Sequence, residues 1–255
     1  MPESVESTVV LKFGGAAVAT PQQFSRIAEI IADRRARYGR VVGIVSAMGD
    51  TTDQLLTLAH QVNPVPPQRE LDMLISVGER VSASLLAMAL ERIGLPAISF
   101  TGSQAGILTT ANHTDARILQ VKPTRIEPHL NSGRVVIIAG FQGVSGEGDP
   151  EITTLGRGGS DTTAVAVAKA LGASHVEFFK DVDGFYTSDP KRNPAAELLP
   201  TLTYSRAEEL VARGATVLSA PCLEQARTGA ITLHLYSFSK DVHTPGSVIT
   251  SDDAR

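Results

Sequence analysis

The chain of 255 residues has a single cysteine, no long hydrophobic run and no excess of positive charge. One cysteine makes neither an internal disulfide framework nor a thiolate zinc site, so a reducing, cytoplasmic compartment is the expectation. Lysine and arginine number 23 against 27 aspartates and glutamates, a formal net charge of −4. Such a chain lacks the positive field of a general nucleic-acid binder. No window approaches about 18 uninterrupted apolar residues, which argues against a membrane span. The opening MPESVEST carries two glutamates and no apolar centre, unlike a secretory signal. What remains is a globular chain, 42% hydrophobic, able to bury a substantial core in one or two domains.

Short β-branched runs at 9–13, 41–45, 97–100, 135–139, 176–179 and 231–235 are apolar through most of their length. Runs of this kind suit parallel strands buried on both faces. Amphipathic stretches lie between them. Phe24, Ile27, Ala28 and Ile31 recur at helical spacing behind Thr20-Pro21-Gln22-Gln23, which offers an N-cap, a proline at the first helical position and a glutamine two residues further on. A longer helical pattern covers 70–93 and stops at Gly94; a third covers 161–171 and stops at Gly172. Strands alternating with helices predict an α/β layered fold with a mostly parallel sheet. The proline-rich stretch 63–68 reads as an exposed loop. The glycine-rich stretch 140–159 suggests two lobes of one domain, divided near residue 145.

In an open parallel sheet, ligands sit beyond the carboxyl ends of the strands. Three loops there carry suggestive chemistry. Lys12-Phe13-Gly14-Gly15 closes the first strand, and an ammonium beside paired glycines lets backbone N–H groups converge on a phosphate; a plain turn with a solvated lysine is the alternative. Thr153 to Asp161 places three hydroxyl residues, Arg157 and three glycines before a helix N-terminus, a suitable anion site. Gly156-x-Gly158 begins a dinucleotide fingerprint, but Asp161 stands where its last glycine belongs, and a carboxylate there repels pyrophosphate unless a metal intervenes. The third loop, 180–191, mixes acids, an aromatic residue and two lysines. No GxxxxGK[ST] loop is present. The histidines show no metal-ligand spacing, and Cys222 reads as a small buried hydrophobe.

Six motifs follow one another in order: KFGG at 12–15, SAMGDTTD at 46–53, RELDMLISVGE at 69–79, TGSQAGI at 101–107, ITTLGRGGSDTTAVAVA at 152–168 and DVDGFYTSDP at 181–190. Together they resemble the catalytic domain of aspartokinases, in the amino acid kinase superfamily, from about residue 9 to 249. The resemblance implies a three-layer α/β/α sandwich around a mainly parallel eight-stranded sheet. It implies an amino-acid-binding lobe over 1–145 and a nucleotide-binding lobe over 146–255. The implied reaction is ATP- and Mg²⁺-dependent phosphorylation of the side-chain carboxylate of L-aspartate by a homodimer, with no nucleic-acid or membrane partner. Lys12, Gly14 and Gly15 are then expected to hold the transferring phosphoryl group. Ser46 and Thr52 would line the acceptor pocket, Glu79 would grip the amino group, and Arg157 the α-carboxylate. Phe141 and Ser160 would border the pocket, and Asp161 would orient Lys12 or act near Mg²⁺. Asp181, Tyr186 and Lys191 would lie along the nucleotide, and His113 would stand at the rim or serve structure alone.

The chemistry fits that inventory. An aspartate side chain, with a pKa near ~3.9, is already an ionised nucleophile at neutral pH. The obstacle is repulsion from the triphosphate, about 4 kcal/mol for two unit charges ~4 Å apart at an effective dielectric of ~20. Cations and amides around the γ-phosphate should therefore carry catalysis. The sequence also departs from the family. Ala16 and Ala17 follow KFGG where threonine and serine are usual. Thr216 stands where a nucleotide-contacting lysine is common, and Ser219-Ala220-Pro221 replaces the usual histidine-proline-arginine. Lys180 occupies a position that is usually threonine, so it is a candidate for the missing cation. The resemblance does not extend to the C-terminal ACT regulatory domains of aspartokinases; a kinase free of lysine or threonine feedback and a piece of a longer chain are both open. A different small carboxylate acceptor and a catalytically silent binding subunit stand as alternatives.

Overall fold

The computed structural model describes residues 7–146, 148–190, 192–240 and 242–251. Its strands are β1 (Ser7–Phe13), β2 (Gly39–Val45), β3 (Ala97–Phe100), β4 (Ile107–Thr109), β5 (Ile118–Val121), β6 (Val135–Ala139), β7 (Gln142–Ser145), β8 (Ile152–Thr154), β9 (His175–Lys180), β10 (Thr201–Thr203), β11 (Thr232–Ser237) and β12 (Ser247–Thr250). Its α-helices are α1 (Pro21–Tyr38), α2 (Thr51–Val62), α3 (Gln68–Ile75), α4 (Val77–Arg92), α5 (Ile126–Asn131), α6 (Gly159–Ala170), α7 (Tyr204–Ala212) and α8 (Ala220–Gly229).

All six apolar runs are strands of one eight-stranded sheet, ordered β10-β12-β11-β9-β1-β2-β6-β3. Every pairing is parallel except β11 with β12. Successive side chains of each strand point to opposite faces, and each face has its own core. Val10, Ile44, Val136 and Phe178 pack with Val165 and Ala168 of α6 and Leu223 of α8. Leu11, Phe13, Val41 and Phe179 pack on the other face with Ile27 and Ile31 of α1 and Leu86 and Leu90 of α4. Each such side chain, fully buried, contributes about 1.5–3 kcal/mol. The predicted three layers are thus present, with β3 the exception to burial on both faces: it is the sheet's edge and only Phe100 of its residues is buried.

A second sheet, four short strands ordered β5-β4-β7-β8, answers to no pattern in the sequence. The glycine-rich stretch 140–159 carries two of them, β7 and β8, paired antiparallel. The helical pattern 70–93 is two helices, α3 and α4, broken at Ser76. Its carbonyl accepts a hydrogen bond from Gln142 Nε2 at 2.7 Å, a partner outside the helix. By length and composition the stretch Gln68–Arg92 is apolar enough to cross a membrane. Here its Ala83, Leu86 and Leu90 are core residues packed with α1 and the sheet. Gly94 and Gly172 end their helices at positive φ (77° and 64°), with Leu95 N–H donating back to Leu90 O and Ala173 N–H to Ala168 O.

Candidate active site

Because β1, β2, β6 and β9 run parallel, their carboxyl ends share one edge, and the loops that follow them meet there. A cleft of about 630 Å³ opens at this edge. Lys12, Gly15, Ser46, Thr52, Glu79, Phe141, Arg157, Ser160 and Asp161 all line it, so nine of the residues singled out from the sequence, far apart in the chain, come together. Backbone bonds stitch its loops: Ser46 N–H donates to Phe13 O at 3.1 Å and Gly49 N–H to Gly15 O at 3.2 Å. Gly14 sits beside Lys12, whose Nζ would lie 3.5 Å from a Cβ at that position.

The floor is an ion cluster. Asp161, in the first turn of α6, meets Lys12 Nζ at 2.7 Å through one oxygen and Lys180 Nζ at 2.7 Å through the other. Lys12 and Asp161 are about 95% buried. Burial works against both charges. It pulls the Lys12 ammonium below the ordinary amine range, with Lys180 adding to the pull and Asp161 opposing it. It pushes Asp161 up, but the two ammonium groups outweigh burial and hold the carboxyl below the usual range. Two cations against one anion leave a surplus positive charge at the floor of the cleft. The α6 N-terminus adds its positive dipole end. Its N-cap, Gly158, is left-handed at φ 75°, and a Cβ there would come 2.4 Å from the Ser219 Cβ, so a side chain is excluded on both counts.

Glu79 sits in the first turn of α4 with 3% of its surface exposed. One oxygen accepts the Ala47 N–H at 3.1 Å; the other has no partner among the described residues. This approach needs Gly78, because a Cβ at that position would stand 2.7 Å from the Ala47 Cβ. Burial pushes the Glu79 carboxyl up to about 7. Arg157 is exposed on the turn before α6 and has no ion-pair partner among the described residues. Phe141 lies at φ 67°, a region few non-glycine residues occupy, pinned by Thr163 Oγ1 on its N–H and by Leu155 N–H on its carbonyl.

Other expectations fall outside the cleft lining. Lys180 reaches the site through Asp161. Asp181 and Thr216 are exposed, and Tyr186 donates its hydroxyl to Asp183 Oδ2 at 2.9 Å, where Lys240 also pairs. Lys191 lies outside the described residues. Ala16 and Ala17 do not line the cleft either; Ala17 is packed into the α1-side core. Lining residues given no role of their own from the sequence are Asp53 and Leu56 of α2, Gln68, Leu71 and Ile75 of α3, and Thr114. The 3.6-residue spacing of Gln68, Leu71 and Ile75 is the one hint that a helix face was turned to the site.

Among the described residues there is no group of three or more histidine, cysteine or acidic side chains placed to hold a metal ion. The carboxylate at the floor, Asp161, has one oxygen on each of two lysine ammonium groups, so an ion such as Mg²⁺ would have to bring most of its oxygen ligands with the phosphates.

The sequence matches the amino acid kinase family over residues 7–237. It is 49% identical to the aspartokinase of Mycolicibacterium smegmatis over 241 residues, 94% of this chain and 56% of that protein. The structure superposes on aspartate kinase from Synechocystis with a TM-score of 0.84 at 42% identity, covering 98% of this chain and 40% of that one. It superposes on E. coli aspartokinase III, solved in complex with aspartate and ADP in the R-state, with a TM-score of 0.85 at 26% identity over 96% of this chain and 65% of that one. The chain thus spans little more than half the length of the curated relatives it matches. Family match, sheet order and the gathering of the motif residues in one cleft agree: the chain belongs to the amino acid kinase family.

Proposed function

We propose that the cleft transfers the γ-phosphoryl group of ATP to the side-chain carboxylate of L-aspartate, giving 4-phospho-L-aspartate. The observation that carries this reading is the pairing, in one cleft, of a surplus cation at the floor with an unpartnered Glu79 oxygen and an unpaired Arg157 guanidinium. Glu79 and Arg157 are complementary to the ammonium and α-carboxylate of a zwitterionic amino acid. The floor cluster is complementary to phosphate. Identity to aspartokinases, and a related structure solved with aspartate and ADP, support the choice of aspartate and ATP.

In this reading Glu79 and Arg157 orient the acceptor, with Ser46, Thr52, Phe141 and Ser160 closing around it. The β-carboxylate attacks as the ionised nucleophile, so no residue needs to remove a proton. Lys12 and the amide of Gly15 take up the charge of the transferring phosphoryl group, while the Gly14 N–H is turned to Phe179 O at 3.4 Å. Asp161 holds Lys12 and Lys180 apart and aimed, a positioning role. Mg²⁺, carried in with the triphosphate, would supply further neutralisation of phosphate charge. Asp181, Tyr186, Thr216 and Lys191 belong to the nucleotide's path toward the surface, with Lys180 replacing the cation absent at Thr216. Residues 1–145 form the acceptor lobe and 146–255 the nucleotide lobe, and the assembly is a cytoplasmic homodimer.

A hydroxamate assay tests the reaction, because acyl phosphates are trapped by hydroxylamine. With ATP and Mg²⁺, product is expected from L-aspartate and not from a panel of other amino acids. Product from a different acceptor, or none from any, overturns the reading.

A further inference from the structure

Gln68, Leu71 and Ile75 of α3 line the cleft, whereas Asp72 on the same helix is fully buried beside it. Its carboxylate gathers three partners from two distant segments. Thr154 Oγ1 donates to one oxygen at 2.5 Å, and the Thr114 N–H lies 3.1 Å from both. His113 Nδ1 stands 2.7 Å from the second oxygen. No lysine or arginine pairs with Asp72 among the described residues.

The conformation of Thr114 gives this cluster a purpose. Thr114 lies at φ 65°, which a β-branched residue adopts only when its surroundings impose it. Asp72 is that imposition, since it grips the backbone N–H itself. Thr114 in turn lines the cleft and lies under the turn that carries Arg157: its carbonyl would stand 3.4 Å from a Cβ on Gly156, and Asp115 Oδ1 3.3 Å. Thr154, held by the same carboxylate, is three residues before Arg157, and its carbonyl accepts the Ala116 N–H at 2.9 Å. One buried carboxylate therefore fastens a wall helix, the 113–116 segment and the strand leading to Arg157.

We propose that Asp72 is a positioning residue for the amino-acid acceptor: by holding Thr114 left-handed it seats the 156–157 turn and so fixes the guanidinium that receives the acceptor's α-carboxylate. The proposal rests on the role given to Arg157 above. The nucleotide side of the cleft, built from Lys12, Asp161 and Lys180, shares no hydrogen bond with this cluster.

The test compares wild type, Asp72→Asn and Asp72→Asn/Thr114→Gly by steady-state kinetics and by amide hydrogen exchange. Asparagine keeps the shape but turns one acceptor into a donor facing other donors. Its KM for aspartate is expected to rise about tenfold, the scale of bias that holds a non-glycine residue at positive φ, with kcat and the KM for ATP within about twofold. Glycine at 114 adopts that φ unaided and is expected to restore most of the aspartate KM. A residue that only stabilised the fold would not be rescued this way. Equal losses in all parameters, or no rescue by glycine, overturn the proposal. Should Asp72→Asn fail to fold, Thr154→Val removes one donor and is expected to raise the aspartate KM about threefold, by the partial loss of a buried hydrogen bond; no change overturns it. If wild type shows no turnover of aspartate, the functional reading falls, and exchange decides the positioning claim separately. Faster exchange confined to 113–117 and 155–158 upholds it, and unchanged exchange there overturns it.

Discussion

Strands β1 and β9 carry two buried ion clusters, one on each face of the sheet, and they differ in one respect. On the α1 face, Arg34 and Glu177 are almost fully buried and pair at 2.6 Å. The remaining guanidinium donors go to Asp33 and to the Val242 carbonyl, and Tyr38 donates to the second Glu177 oxygen at 3.4 Å. The one buried cation there meets the one buried carboxylate, half-exposed Asp33 lies beside them, and all sides of the guanidinium are taken. On the α6 face, Lys12 and Lys180 share the single carboxylate of Asp161, and the cluster opens on a cleft. A buried charge left without a partner costs several kcal/mol, so an unbalanced cluster persists where a ligand completes it. In the proposed reading the first cluster is a clasp and the second a candidate binding site, although both are lysine or arginine beside an acid.

Glu177→Ala leaves Arg34 without its buried partner and is expected to lower stability by about 3–5 kcal/mol in denaturant unfolding, while kcat of the folded fraction stays unchanged. A fall in kcat with stability intact would make the two clusters one functional unit. Asp161→Asn should do the reverse in kind: kcat drops about 100-fold as Lys12 and Lys180 lose their aim, measured under saturating substrates. Arg157→Ala removes a charge-assisted pair and should raise the KM for aspartate about 30-fold, with the KM for ATP unmoved.

Glu79 sharpens the contrast through pH. Its carboxyl, raised to about 7 by burial, is largely protonated below that pH in the empty cleft and must ionise to meet an ammonium. Apparent aspartate affinity should therefore fall about tenfold per unit as pH drops below 7, and Glu79→Gln should flatten that profile. The sign for folding is opposite. A raised carboxyl takes up protons on folding, so its contribution favours the folded state at low pH and is lost as pH rises from its ordinary 4.5 through about 7. Thermal unfolding of wild type against Glu79→Gln over that window reads it out. The smallest effect belongs to Lys180→Thr, which acts through Asp161 and is expected to raise the KM for ATP by less than about tenfold, the scale of one charge-assisted hydrogen bond; an unchanged value would remove Lys180 from the nucleotide site.

The large sheet was legible because strands buried on both faces must be apolar throughout, as Val135–Ala139 is. The small sheet was not, because its pairing is polar: Thr109 and Thr153 are fully buried and bond hydroxyl to hydroxyl at 2.5 Å, so neither apolar run nor alternation marks β4 or β8. The break at Ser76 depends on Gln142, 66 residues away, which no helical periodicity contains. Within the site, the glycine-flanked residues Lys12, Arg157 and Asp161 were found from local chemistry, since a turn at a strand end declares itself in sequence. Glu79 needed the resemblance, because a glutamate in a helix usually faces water; its burial depends on Gly78 meeting Ala47. Asp72 stood inside the 69–79 motif without a role of its own, and Thr114 stood in none of the six motifs. A carboxylate's partner 42 residues away and a positive φ at a threonine leave no mark in composition or spacing.

The part played by the Lys12 ammonium is open to one direct measurement. Lys12→Met keeps the side chain's bulk and leaves Lys180 paired with Asp161, so the cluster becomes neutral and stays folded. Hydroxamate formation from ATP and L-aspartate is expected to fall about 10²–10³-fold, with the unfolding midpoint close to that of wild type. A rate within about tenfold of wild type, at unchanged stability, would contradict the claim that the Lys12 ammonium at the cleft floor stabilises the transferring phosphoryl group.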